Sequence, residues 1–158
     1  IGGGVAGADD SVTLENVQLE VASAATDFEY LPFDDTLRRC MRYYQKSFPY
    51  NTAPAQNFGT SLGGWSISSK KAGATQQSYL ETLLLPVSLR VVNATATTYN
   101  PSAANAQARD VTAAADCSNT FIFMNNTASQ IHTDFTGNAS TAVANRILLG
   151  WVLSDDTF

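Results

Sequence analysis

After residue 64 the chain is a series of short β-type runs separated by turn residues, and this pattern constrains the fold more than any other feature. The run 80–92 is interrupted by Pro86, which suits an edge strand or a bulge because proline cannot donate to a sheet ladder. The runs, in chain order, are 65–68, 80–92, 95–99, 121–124, 131–135 and 146–153. Several short strands at this spacing predict an all-β fold, specifically an antiparallel β-sandwich.

One segment, residues 34–47, is predicted to be helical and to precede the sandwich. Asp34 or Asp35 is expected to cap its start, and the sequence Phe48-Pro49 is expected to end it. A helix of about fourteen residues is marginal on its own, so its apolar stripe must dock on something. The stripe follows the i, i+3, i+4, i+7 pattern and consists of Leu37, Cys40, Met41 and Tyr44.

This stripe is too small to be buried by one subunit, whereas three copies brought together would bury it. Apolar burial at about 25 cal/mol per Å² would then contribute several kcal/mol. We therefore expect a homotrimer in which the four stripe residues form the subunit interface.

The region before the helix carries a strand signal that lacks a partner. Val12 and Leu14 alternate with polar residues, and after a one-residue slip Val17, Leu19 and Val21 alternate again. This strand either joins the later sheet or is the last strand of an upstream β-sandwich.

The sequence therefore divides into three parts. Residues 1–33 are expected to form a linker and the terminal strand of an upstream β-sandwich. Residues 34–48 are expected to form a short helix at a trimer axis, and residues 49–158 a C-terminal β-sandwich domain.

Charge and composition exclude two classes of partner. Only 15% of the residues are charged, the net charge is −5 and the pI is near 4.6, whereas a nucleic-acid-binding protein needs a basic face. No apolar run approaches the roughly 18 residues of a membrane helix, so no membrane insertion is expected. The two cysteines, Cys40 and Cys117, are better interpreted as free thiols than as a disulfide.

Catalytic and metal chemistry are not favoured by the pattern of titratable residues. The single histidine, His132, and Asp134 lie two positions apart on a predicted strand and face the same side, but no serine occupies a nucleophile elbow. A solvent-facing position is the simpler interpretation of His132. A His-x-Asp pair supplies two metal ligands, and this spacing is common by chance. We therefore expect no enzyme activity, no metal and no cofactor.

Sugar binding is harder to dismiss, because it needs an aromatic face beside amide and carboxylate groups. Such residues occur near the loops 57–65, 99–109 and 125–139. The alternative is that each aromatic ring packs in the core or in a subunit interface. The candidate ligand-binding residues are Trp65, Tyr99, Asn100, Arg109, His132 and Asp134.

Several segments resemble the C-terminal module of tail fibres and related fibrous proteins of tailed bacteriophages. The family's VQLEVG strand resembles residues 17–21 (VQLEV), and its ATPFEYRP linker resembles residues 25–30 (ATDFEY). Its L-x-x-C-x-R-Y-Y helix resembles residues 37–46 (LRRCMRYYQK). Three later segments follow in the family's order, namely 85–90 (LPVSLR), 99–111 (YNP to RDV) and 149–155 (LGWV to D).

This resemblance implies a trimeric virion module at the phage particle surface, in which the VQLEV strand closes an upstream sandwich. The leading expectation is a fibre module that displays a host-recognition surface, most simply for a cell-surface glycan. The alternative is a non-enzymatic adaptor, head fibre or capsid decoration that binds other virion structural proteins. A polysaccharide depolymerase is much less favoured, because the chain is too short for a parallel β-helix.

Overall fold

The structure is a computed structural model that describes residues 17–24, 26–60, 63–124 and 126–155. Within these ranges one helix, α1 (Phe33–Met41), precedes nine strands. The strands are β1 (Tyr44–Lys46), β2 (Trp65–Ser68), β3 (Gln76–Leu84), β4 (Thr95–Tyr99), β5 (Arg109–Asp110), β6 (Ala115–Asp116), β7 (Ser118–Phe123), β8 (Gln130–Thr136) and β9 (Arg146–Ser154). Their pairings are antiparallel, so the expected β-rich antiparallel fold with one short helix is confirmed.

Strand β9 is the centre of a six-stranded sheet. Its second half pairs with β1 and β4, and both Lys46 and Thr97 lie opposite Val152. Its first half pairs with β2 and β5, and both Ile67 and Asp110 lie opposite Ile147. Both edges of β9 are therefore covered along the strand, which agrees with the unbroken apolar run in its sequence.

Both faces of β9 are also buried, each against a different part of the chain. On one face Ile147, Leu149, Trp151 and Leu153 join the hydrophobic core. On the other face lie Phe48, Phe58 and Gly64, which belong to the connection between β1 and β2. A Cβ atom built on Gly150 would lie 2.8 Å from Phe58 Cε1 and 3.0 Å from Phe48 Cζ, so glycine is required for this loop to approach the strand.

A three-stranded sheet in the order β3-β8-β7 supplies the other side of the core. Ile131 and Phe135 of β8 and Ile122 of β7 pack with Ile67 and Leu149 of the six-stranded sheet. Thr133 shares the fully buried face of β8, so the predicted alternation of this strand is confirmed on that face. Side chains from both sheets thus meet in one core.

The helix is shorter than predicted. It begins at Phe33 and ends at Met41, and Tyr44 lies in β1 opposite Ser154 rather than in the helix. Aromatic residues suit a pleated strand, and pairing with β9 overrides the helical periodicity after residue 41. Pro32 is the N-cap residue, so Asp34 and Asp35 lie within the first turn and make no side-chain cap.

Several strand predictions are confirmed, whereas the runs predicted at 80–92 and 121–124 correspond to strands that begin earlier in the chain. Strands β2 and β4 have the predicted bounds, and β9 extends one residue further than predicted. Strand β3 begins at Gln76, earlier than the predicted run 80–92, and ends at Leu84, before Pro86. The weakly patterned stretch 102–119 holds β5 and β6, two very short strands.

The predicted N-terminal strand does not join either sheet within the described residues. Val12 and Leu14 lie outside the described ranges, and residues 17–21 are not assigned as a strand. Val17, Leu19 and Val21 are exposed. Their polar neighbours are bonded locally, because Glu20 accepts from Thr26 and Gln18 accepts from the Glu29 backbone N–H at 2.8 Å.

Candidate functional site

An apolar groove of about 510 Å³ lies between α1, β1 and residues 83–86. All four residues predicted for the subunit interface line it. The other lining residues are mostly apolar, and the full lining comprises Leu37, Cys40, Met41, Tyr44, Gln45, Lys46, Phe48, Tyr50, Leu83, Leu84, Leu85, Pro86 and Trp151. This set is called the helix groove below.

The helix groove is an exposed apolar surface in a single copy. No residue of α1 is buried, Cys40 is exposed, and Leu37 and Met41 are only half-buried. Leu84 is 66% exposed and Tyr50 is 72% exposed at its rim. Contiguous apolar surface of this kind marks an interaction site more often than a solvated face.

Two buried polar atoms belong to side chains that line the helix groove. Trp151 is 6% exposed and Gln45 is 4% exposed. The Trp151 Nε1–H donor and the Gln45 Oε1 acceptor have no hydrogen-bond partner among the described residues. Both atoms are shielded from solvent in the single copy, so each lacks the hydrogen bond that buried polar groups normally make.

The end of α1 is attached to the sheets by two side chains. Gln45 Nε2 donates to the carbonyl oxygens of Met41 and Val87. The backbone N–H of Arg90 donates to Arg42 O at 2.8 Å. The Arg90 side chain pairs with Asp155, with 2.8 Å between Nε and Oδ2, and its guanidinium stacks on the Tyr43 ring. The helix groove is therefore held in shape although none of α1 is buried.

Charge in the helix groove is confined to one cation. Lys46 is the charged residue of the lining, and its Nζ donates to Tyr50 O at 3.1 Å and to Thr52 O at 2.7 Å. An ammonium group has three donors, so one remains for an anion. No carboxylate lines the groove.

The opposite side of α1 faces the N-terminal segment. Thr36 and Arg39 line a second hollow, of about 820 Å³, with residues 17–20, 26 and 28–31. The helix groove lies on the other side of the helix, where Leu37, Cys40 and Met41 project. Among the described residues, the segment 17–31 of the same copy does not line the helix groove.

The loop 99–109 is organised by amide and carboxylate hydrogen bonds. Asn100 is fully buried; its Oδ1 accepts from the backbone N–H of Ser102 and of Ala103, and its Nδ2 donates to Asn105. Asn105 in turn donates to Asp116 at 2.8 Å.

Arg109 completes this network through an ion pair. Its Nη1 lies 2.8 Å from Asp116 Oδ1, and both side chains are about one-quarter exposed or less. Burial by itself raises the pKa of Asp116, but hydrogen bonds from Arg109, Asn100 and Asn105 outweigh burial, so that this pKa lies below its usual value. Asn100 and Arg109 thus shape the loop.

The two candidate aromatic residues both make packing contacts. Tyr99 lies opposite Gly150 in the sheet and packs edge-on against Phe48, with 5.4 Å between ring centroids. Trp65 lies opposite Leu149, is half-buried and packs against the core.

His132 and Asp134 lie in the other sheet, on β8, away from Trp65 and Arg109 in the sheet pairing. The interpretation of His132 as solvent-facing is wrong, because this residue is 6% exposed and stacks on Phe123 at 5.5 Å. Asp134 is half-buried. The six candidate ligand residues are thus divided between two sheets and do not form one cluster.

The helix groove also contains residues that the sequence did not single out. Trp151 lies more than a hundred residues after Gln45 and Phe48 in the chain, and the pairing of β1 with β9 brings them together. The leucine run ending at Pro86 was a usable signal, because an apolar run that stops at proline often lies at an edge.

The described part of the chain offers no other obvious chemistry. Within it, no group of three or more His, Cys, Asp or Glu side chains is placed to hold a metal ion. Cys40 is exposed, Cys117 is buried, and both are free thiols. Over the same ranges, no helix has the length and apolarity that crossing a membrane requires.

Comparisons with protein-family models, with curated proteins and with solved structures found no match to this chain. A function must therefore be inferred from the residues and contacts described above.

Proposed function

We propose that this chain is a non-enzymatic, homotrimeric module of a tailed-bacteriophage virion fibre, located on the particle surface. The observation that carries the proposal is the helix groove. The segment that resembles the phage L-x-x-C-x-R-Y-Y helix places Leu37, Cys40 and Met41 on an exposed apolar surface in a single copy. Such a surface on a folded domain is explained by assembly with other copies.

The low charge of the chain also supports assembly into a fibre. Charged residues make up 15% of the chain, and buried apolar residues of the two sheets form one core. A β-sandwich built in this way leaves α1 as its least buried regular element. Trimer formation through α1 would bury the element that a single copy cannot bury.

The assembly part of the proposal is tested by native mass spectrometry and light scattering. The wild-type chain is expected to be a trimer at micromolar concentration. Leu37→Asp places a carboxylate in the helix groove and is expected to give monomers. Val143→Asp, at a residue 63% exposed and outside the groove, is the matched control and should remain trimeric. A monomeric wild type at micromolar concentration would contradict the proposal.

A host-recognition role is proposed for the loop 99–109 and its surroundings. The network of Asn100, Asn105 and Asp116 holds this loop in a defined conformation, and Asn105 is exposed. Three copies of a weak sugar site in a trimer would add by avidity, so each needs only millimolar affinity.

The alternative is a structural adaptor that binds other virion proteins. One observation favours it, namely that the amide side chains of this loop already bond to one another. The Asn100 side chain bonds to that of Asn105 and to the backbone N–H groups of Ser102 and Ala103, and Asn105 bonds to Asp116. Fewer polar groups then remain for a sugar.

A glycan array and a host-cell binding assay separate these two roles. A recognition module binds cells, and Asn105→Ala and Trp65→Phe reduce that binding while circular dichroism shows an intact fold. Val143→Ala serves as the surface control. Absence of any cell or glycan binding by folded trimers would favour the adaptor.

A further inference from the structure

We infer that Arg90 and Asp155 make the helix groove dependent on β9, so that a copy acquires its assembly surface only after β9 has paired. These two residues and their contacts to the end of α1 are called the β9 latch below. The latch is a property of a single copy, whereas its consequence for assembly rests on the proposed self-assembly.

The β9 latch joins the end of α1 to the residue that follows β9. The backbone N–H of Arg90 donates to Arg42 O at 2.8 Å, and Arg90 Nε donates to Asp155 Oδ2 at 2.8 Å. The backbone N–H of Asp155 donates to Tyr43 O at 2.9 Å, and the Arg90 guanidinium lies 5.5 Å from the centre of the Tyr43 ring. The two residues that follow α1 are therefore held both by Arg90 and by the end of β9.

Burial makes the two halves of the β9 latch depend on each other. The Asp155 side chain is completely buried, whereas that of Arg90 is 38% exposed. A carboxylate removed from water needs a charged partner with good hydrogen-bond geometry, so the position of Arg90 is tied to that of Asp155. Displacing Asp155 would therefore also displace the backbone N–H that holds Arg42.

The segment that carries Arg90 is itself bonded to residues just before β8. The backbone N–H of Leu85 donates to Ser129 O at 2.9 Å, and that of Leu89 donates to Ala128 O at 2.7 Å. Strand β8 is the middle strand of the three-stranded sheet, and β9 is the centre of the six-stranded sheet. The β9 latch therefore connects both sheets to the end of α1.

The second attachment of α1 also depends on β9. Gln45 Nε2 donates to Met41 O and to Val87 O, and Gln45 lies opposite Leu153. Among the described strands, β1 pairs only with β9. Since no residue of α1 is buried by the described part of the chain, its position relies on these attachments.

Strand β9 also supplies one wall of the helix groove, because Trp151 lines the groove together with Leu37 and Met41. It follows every other described helix and strand in the chain, so it is synthesised after them. Until β9 pairs, a copy has neither a fixed α1 nor a complete groove. Association of partly made chains through the helix groove is thereby prevented.

Asp155→Asn in the full chain tests the β9 latch, because it removes the charge with little change in side-chain size. Hydrogen exchange is measured below the concentration of assembly, where the amides of residues 37–42 should exchange roughly tenfold faster than in the wild type. The amides of residues 147–151 should keep their protection. The concentration needed for assembly, measured by light scattering, should rise by a similar factor.

Asp116→Asn is the matched control, because it breaks the other ion pair of the same length, between Arg109 Nη1 and Asp116 Oδ1. It should change neither the exchange of α1 nor the concentration of assembly. Arg90→Lys keeps a cation beside the buried carboxylate but loses the guanidinium geometry, and it should also loosen α1 while β9 stays protected. It provides the comparison if Asp155→Asn does not fold.

Pulse-labelling hydrogen exchange during refolding of the wild type tests the order of events. Amides of α1 should become protected together with those of β9 or later. Protection of α1 before β9 would overturn the dependence of the groove on β9.

The outcomes separate the β9 latch from the proposed assembly. If α1 exchanges equally in the wild type and in Asp155→Asn, the latch is wrong and the trimeric module stands. If β9 loses as much protection as α1, the pair stabilises the whole domain, and the latch is again wrong. A monomeric wild type would overturn the trimeric module, whereas faster exchange of α1 in Asp155→Asn would still support the latch within one copy.

Discussion

At the scale of single residues, the fold depends on close approaches at the middle of β9. Gly150 lies beneath Phe58 and Phe48, whose rings meet edge-on at 4.9 Å. Near Gly150, β1 gives way to β2 and β4 gives way to β5 as the strands that pair with β9. The connections between these strands are joined by two hydrogen bonds, from Asn57 N–H to Asn100 O and from Gly59 N–H to Pro101 O. Because residue 150 has no side chain, the rings of Phe48 and Phe58 can pack directly against the backbone of β9.

Gly150→Ala is expected to lower the free energy of unfolding by about 1–3 kcal/mol, because the new methyl group overlaps two aromatic rings that cannot move apart cheaply. Chemical denaturation monitored by circular dichroism measures this loss. Adding Phe58→Leu should recover part of it by removing the closer ring. An unchanged denaturation midpoint for Gly150→Ala would contradict the packing described.

The two cysteines are expected to differ sharply in reactivity. Burial raises the pKa of Cys117 to about 12, with a further contribution from Asp110, whereas Cys40 is exposed. Because the thiolate is the reactive form, maleimide at pH 8 should label one cysteine in the folded protein, and Cys40→Ser should abolish that labelling. In guanidinium chloride both thiols should react.

The same pKa shift predicts a loss of stability in alkali. The folded pKa of Cys117 lies above the unfolded value of 9.0, so its contribution is complete below pH 9 and is lost as the pH rises towards 12. Cys117→Ala should flatten the fall in unfolding free energy over this range. Equal slopes in the two proteins would contradict the shift.

At the scale of elements, α1 depends on side chains outside it. A nine-residue helix with no buried residue and no side-chain cap does not persist by helix propensity alone. Gln45 and Arg90 hold its last turn, and both lie in segments that pair with or contact the sheets.

Gln45→Leu is expected to lower the free energy of unfolding by about 1–2 kcal/mol, because two carbonyl oxygens lose their donor in a buried setting. The exposed Gln18→Leu is the matched control and should change stability by less than about 0.5 kcal/mol. Thermal melts of both variants provide the comparison. A larger loss for Gln18→Leu than for Gln45→Leu would show that α1 is held differently.

At the scale of the whole molecule, two parts differ in how they are stabilised. β9 is covered on both edges and both faces within one copy, and seven of its nine residues are buried. By contrast, no residue of α1 is buried by the described part of a single copy, and the proposed assembly would cover both α1 and the helix groove. We therefore expect the stability of the core to depend on one chain, and the stability of α1 to depend also on the proposed assembly.

Amide hydrogen exchange is expected to show this difference. Protection of β9 should not depend on protein concentration, whereas protection of α1 should rise as the concentration passes through the range of assembly. In Leu37→Asp, α1 should exchange rapidly at every concentration while β9 remains protected. Strong, concentration-independent protection of α1 would contradict assembly through the helix groove.

The sequence by itself determined the local elements whose pattern is continuous. The bounds of β2 and β4 and the apolar run of β9 follow from alternation, turn residues and apolar character, which act over a few residues. It also placed Leu37, Cys40 and Met41 on one face of a helix, and these residues line the groove.

Only the tertiary structure decided the rest. Tyr44 left the helical pattern because pairing with β9 satisfies its backbone, and His132 became buried because Phe123 stacks on it. Asn100 and Arg109, equally plausible as ligand residues by composition, are engaged within their own loop. Leu37 and Trp151 both line the helix groove although they are far apart in the chain. The pairing of distant strands brings such residues together, and no local sequence pattern encodes that pairing.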